Sequence, residues 1–109
     1  MEPQSLFIKL MGDSPKIRIL DYLLTERELD FSITDIAENS GVGRATLYRL
    51  WDSLIKSQII VHTRDIGKAK LFKLNTHDIK IKKLIEVHDM LTLEELKKQS
   101  AMHKVKMTA

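Results

Sequence analysis

The sequence predicts a mainly α-helical chain carrying one small β-hairpin. Three observations predict it. Apolar residues recur at helical spacing behind serine and threonine caps. A glycine bend divides two short helical stretches in ITDIAENSGVGRATLYRLW, residues 33–51. Two runs rich in β-formers flank DIGK, residues 65–68. With 109 residues, 43% hydrophobic and 30% charged, the chain closes one core and has little room for a second. The expected division is a main domain over 1–75 and a C-terminal helical extension over 76–109, whose last dozen residues thin in apolar content and are expected to fray.

The elements follow in order. Leu6, Phe7, Ile8 and Leu10 form a run too short to assign to helix or strand. Ser14 caps and Pro15 opens a helix over 15–26, because proline needs no amide hydrogen bond at the first helical position; Ile17, Leu20, Leu23 and Leu24 give it an apolar stripe. Ser32-Ile-Thr-Asp35 is a capping-box-like start for a second helix, which stops at Asn39-Ser40-Gly41. A third helix runs from Arg44 to about Lys56 with Gly43 as a weak cap. Residues 59–64 and 69–74 then pair as a hairpin. With Ile66-Gly67 at the tip, in a type II turn or longer loop, Asp65 faces Lys68, Val61 faces Phe72 and Ile59 faces Leu74, leaving Thr63 and Lys70 near the outer end. Thr76 is the expected cap of a further helix bearing Ile79, Ile81, Leu84, Ile85, His88 and Leu91. Thr92-Leu-Glu-Glu95 marks either a fresh start or a pause, so residues 77–105 form one helix or two.

The bend meets the demands of a helix-turn-helix. Ala37 is the small residue where the helices approach, Gly41 can take positive φ, and Ile33, Ile36, Leu47, Leu50 and Leu54 face inward. Arg44, Ala45, Thr46, Tyr48, Arg49 and Asp52 are left on the opposite arc. The bland alternative is a buried helical corner with solvated arginines. A β-hairpin directly after the second helix of the bend is the winged variant of this fold: three-helix core, two-stranded wing, C-terminal helix or helices. Charge supports it. Net charge is only +3, but residues 1–30 sum to −2, 31–57 to zero, 58–75 to +3 and 76–109 to +2. Arg64, Lys68 and Lys70 bracket the wing tip, while Lys73 reads as a solvated strand residue.

Residues 13–91 resemble archaeal winged-helix-turn-helix transcriptional regulators, through DSPKIRILDYLL, DFSITDIAENSGVGRATLYRLWDSLIKSQII and above all the basic wing TRDIGKAKLFKLN. Phe72 stands where relatives commonly have tyrosine, and His77-Asp78 where many have Asn-Pro. The resemblance implies sequence-specific binding of double-stranded DNA, usually as a dimer. Arg44, Thr46, Tyr48 and Arg49 then fall at recognition-helix positions, and Arg64, Lys68 and Lys70 at wing positions.

The expected mechanism places helix 44–57 in the major groove. Arg44, Thr46 and Tyr48 reach base edges or flanking phosphates, Ala45 lies beside them, Arg49 and Lys56 clamp phosphate, and wing 64–70 lies on the backbone or minor groove. Asp52 either deters binding at one edge or orients Arg49. A homodimer is expected through 77–105, with Ile81, Leu84, Ile85, Leu91 and Leu96 as candidates, and through 5–11; the alternative is packing of this region on the chain's own first helix, and the favoured reading is a mixture in which 77–91 is partly intramolecular and the remainder pairs. Two other readings stay open: a winged-helix protein–protein interaction module, and a plasmid or viral replication or partition factor.

Other chemistries find no footing. There is no cysteine, which fits a reducing cytoplasm, and no run of about 18 apolar residues or secretory signal. His62, His77, His88 and His103 lack metal-ligand spacing. His88-Asp89 makes no catalytic triad with the scattered serines, and Gly41-Val-Gly43 lacks the strand that precedes a phosphate-binding loop. Trp51 reads as core or rim packing. The expectation is a cytoplasmic, non-enzymatic protein with no cofactor, metal, membrane contact or evident small-molecule effector.

Overall fold

Capping residues set the helix starts. In the computed structural model, which describes residues 4–108 with side chains through Ala101, helix α1 (Leu6–Met11) begins behind Ser5 and α2 (Pro15–Thr25) behind Ser14; each serine oxygen accepts an amide hydrogen bond three residues on. Ser32 does the same for α3 (Ile33–Ser40), accepting from the Asp35 amide. Helix α4 (Arg44–Lys56) follows Gly43, which has no side chain to cap with.

Two helices end in the same way. Gly41 at φ 70° closes α3: its amide reaches the Glu38 carbonyl, the Val42 amide reaches Ala37 at 3.0 Å, and Val42 turns into the core. This double hydrogen bond satisfies carbonyls the helix would otherwise leave unpaired. Helix α4 repeats the arrangement with Gln58 at φ 62°, where the Ile59 amide reaches Leu54 and both side chains are buried.

The core gathers Phe7 of α1, Ile19, Leu20, Leu23 and Leu24 of α2, Ile36 and Ala37 of α3, Leu47 and Leu54 of α4, and Ile60 and Leu74 of the hairpin. Ile33 and Leu50, expected inward, are partly buried against it; Ile17 is likewise partial, and Ile19 takes the place in the core that the spacing gave to Ile17.

The hairpin departs from the expected register. Strands β1 (Ile60–Ile66) and β2 (Ala69–Leu74) pair Ile66 with Ala69, Asp65 with Lys70, Arg64 with Leu71, His62 with Phe72 and Ile60 with Leu74. Val61 therefore faces Lys73, not Phe72. Gly67 causes the shift: with φ 60° it takes the first place of a two-residue Gly67-Lys68 turn, and Ile66 stays in the strand. A bulge at Thr63 then takes part of that shift back: without it Val61 would face Leu74, and the one extra residue on β1 returns the pairing to Lys73. Thr63 is anchored there by donating to Asp30 at 2.7 Å. On its other edge β2 is bridged by Phe31, which exchanges two 2.8 Å backbone hydrogen bonds with Phe72.

Asp78, rather than Thr76, starts the last helix. The Asp78 amide donates to Asn75, and its carboxylate then accepts from the Lys80 amide at 2.8 Å. Helix α5 runs unbroken from Ile79 to Thr108, so Thr92 interrupts nothing. Its first turns belong to the core. Ile81 is 1% exposed, His88 is buried against the Phe7 ring with Nε2 2.9 Å from Asp21, and Arg27 forks onto Asp89. The side chain of His103 lies outside the described residues.

Candidate nucleic-acid interface

Helix α4 turns Leu47 and Leu54 fully inward, and a helical period of 3.6 then fixes what faces out. Arg44, Ala45, Tyr48, Arg49, Asp52 and Lys56 are exposed and Thr46 is half-buried. Arg49 donates to the Thr46 hydroxyl at 3.1 Å, which holds its guanidinium along the helix surface. Among the described residues neither Arg44, Arg49 nor Lys56 has an acidic partner within ion-pair distance. Asp52, on the same arc, orients none of them by such a pair.

The wing cations divide. Lys68 in the turn and Lys70 on β2 are exposed and form none of the ion pairs among the described residues. Arg64 is drawn back to the wing root, where its Nε and Nη2 donate to Asp30 at 2.9 and 3.2 Å. With Thr63 donating to the same carboxylate, these bonds hold the Asp30 carboxyl down to about 2 and raise the Arg64 pKa. Lys73 is not simply solvated; its ammonium lies 3.9 Å from Glu28. Asp65 is occupied by His62 at 2.6 Å.

Packing brings the two cationic elements to one face. Tyr48 and Trp51 of α4 line a surface cleft together with Lys68 and Lys70 of the wing. On the far side of α4, Thr46 and Arg49 share a groove with Lys16 from the first turn of α2. Sequence reasoning missed Lys16, Asp30 and Phe31. Asp30 lies 34 residues from Arg64 and Phe31 pairs through a single bridge, so neither has a local pattern; Lys16, on an exposed first turn, becomes legible only when α2 is docked on α4. Trp51, read as rim or core, is half-buried with its ring meeting Phe72 edge-on at 4.8 Å.

Residues 17–63 match the model of the IclR helix-turn-helix domain. No curated protein matches the sequence. Among solved structures the chain is similar to the adhesin competence repressor AdcR of Streptococcus pyogenes, with a TM-score of 0.64 at 16% identity over 91% of this chain and 74% of that one. It is also similar to MepR, a transcription regulator of the Staphylococcus aureus multidrug efflux pump MepA, with a TM-score of 0.59 at 18% identity over 93% and 78%. HlyU of Vibrio cholerae gives 0.57 at 18% identity over 77% and 82%. The fold is a winged helix-turn-helix. In the terms of that fold, α3 and α4 are the helix-turn-helix, β1 and β2 the wing, and α5 an extension from the core. Among the described residues no group of histidine, aspartate and glutamate side chains is placed to hold a metal, and no helix is long and apolar enough to cross a membrane.

Proposed function

We propose that the chain is a cytoplasmic, non-enzymatic regulator of transcription that binds double-stranded DNA sequence-specifically, of the type the archaeal-like wing phrase suggests. One observation carries the reading: the outer arc of α4 offers Arg44, Arg49 and Lys56 without an acidic partner among the described residues, on a face continuous through Tyr48 with Lys68 and Lys70 of the wing. The IclR helix-turn-helix match and the similarity to the repressor AdcR and the transcription regulator MepR support it.

In this reading α4 enters the major groove, with Arg44, Ala45, Thr46 and Tyr48 at the base edges. An arginine fork on guanine there is worth roughly 1–3 kcal/mol of discrimination. Arg49 and Lys56 hold phosphates, and Lys68 and Lys70 follow the backbone beyond them. Arg64 sets the pose of the wing from its root. Residues 1–75 act as the reading head, and 76–109 beyond the core-bound first turns of α5, with 5–11, pair two copies.

Selection of duplexes from a random-sequence library tests this, followed by salt-dependent binding of the selected sequence and a scrambled control. Wild type is expected to prefer the selected duplex, and the Arg44→Ala, Arg49→Ala variant to lose that preference while keeping its fold. Equal, featureless binding by both proteins overturns the reading.

A further inference from the structure

The cleft between wing and α4 has a composition that the recognition helix alone does not explain. It encloses about 460 Å³. Its floor is aromatic: half-buried Trp51 is fixed edge-on against buried Phe72, which is itself pinned by the backbone bridge to Phe31. Its rim is polar and drawn from three elements, with Lys68 and Lys70 on the wing, exposed Tyr48 on α4 and Thr34 on α3. The hydroxyls of Thr34 and Tyr48 and both ammonium groups make none of the side-chain hydrogen bonds found among the described residues.

From this we infer that the cleft is a seat for one sugar–phosphate step of a DNA strand, with Trp51 and Thr34 as contact residues beside the two lysines. The inference rests on the duplex-binding reading above. A deoxyribose offers a hydrocarbon edge and its phosphate an anion a few ångströms away, matching an aromatic floor beneath a cationic rim; lysines serve phosphate as point charges without needing a forked geometry. No polar lining side chain is buried, so the cleft suits a strand passing over it and not a small molecule enclosed within it. Base stacking is disfavoured because the Trp51 ring is already half covered by the protein. The consequence is that α3, α4 and the wing grip one strand together, which fixes the angle at which α4 enters the groove.

Trp51 is the chain's one tryptophan, so its emission reports on the seat alone. The experiment titrates the full chain with selected duplex, a single strand of the same sequence and inorganic phosphate, reading emission and duplex anisotropy together. A duplex panel carrying one uncharged methylphosphonate at each linkage in turn is then bound by wild type, Lys68→Gln/Lys70→Gln and Thr34→Val. Trp51 emission is expected to change with duplex at the anisotropy midpoint. One linkage per bound chain should weaken wild type several-fold, the lysine variant should be indifferent to that linkage, and its salt slope should fall by about 1 for each cation removed. Duplex binding that depends on Arg44 and Arg49 with silent Trp51 emission and no sensitive linkage overturns the seat while leaving the reading intact. The same emission change with single strand in preference to duplex, or with phosphate alone, also overturns it. Absence of any duplex binding removes both.

Discussion

Gly41 and Gln58 hold the same backbone place at the ends of α3 and α4, both left-handed, yet only one is glycine. A side chain at positive φ costs roughly 1–2 kcal/mol, which glycine avoids. Gln58→Gly is therefore expected to stabilise the chain, by about 0.5–1 kcal/mol once the greater freedom of glycine in the unfolded state is counted. Gly41→Ala is expected to cost about 1 kcal/mol and to disturb Val42, and with it the start of α4. Chemical denaturation of both variants beside wild type checks this; a destabilised Gln58→Gly would show that the glutamine side chain has a structural use beyond its strained backbone. The contrast also explains why one turn was legible and the other was not. Glycine announces a left-handed residue, whereas at Gln58 the hydrogen bonds from the Gln58 and Ile59 amides and the burial of Leu54 and Ile59 override the residue's own preference, and no local signal reveals it.

The wing shows the same divide at the scale of an element. Its two strands were readable from Ile, Val, Leu and Phe around a glycine turn, but its register was not. A one-residue bulge at Thr63 has no sequence signature, because it is held by Asp30 from the loop between α2 and α3. The outer arc of α4, by contrast, follows from helical period and three inward leucines, so its exposed residues were legible without coordinates. Asp30 is thus the hub of the wing root, binding Thr63 and Arg64 together. Its carboxyl titrates at about 2 in the folded chain against an ordinary value of 3.8. The folded value is depressed, so the contribution is fully present above about 4 and is lost as the pH falls from there through about 2. Thermal unfolding followed between pH 5 and 2 should show wild type losing more stability across that window than Asp30→Asn. Parallel curves would mean that the Asp30 cluster adds nothing to folding. Arg64→Ala should likewise reduce protection of the wing amides in hydrogen exchange, while Lys68→Ala leaves it unchanged.

For the whole molecule the decisive element is α5, whose root is locked to the chain's own core. Ile81, the His88–Asp21 contact and the Arg27–Asp89 fork fix its first turns to α1 and α2, so Ile81 serves the chain's own core and not a partner. Beyond them Met90, Leu93 and Leu96, continuing from Val87 at a spacing of three, form an exposed apolar ridge, with Leu10 and Met11 of α1 also exposed. A ridge of this spacing packs into the grooves of a facing helix, and a second α5 is the partner we propose for it. Because the root is rigid, such pairing would fix the separation of two reading heads, which must reach half-sites about one helical turn of DNA apart. Sedimentation of the full chain is expected to give twice the chain mass. Met90→Glu with Leu93→Glu alters only exposed positions, so it should yield a folded monomer that binds a single half-site with unchanged dependence on Arg44 and loses the added affinity of the paired site. A wild-type monomer that still discriminates a two-fold site from its half, or a double variant that remains dimeric, would place the contact elsewhere on the surface.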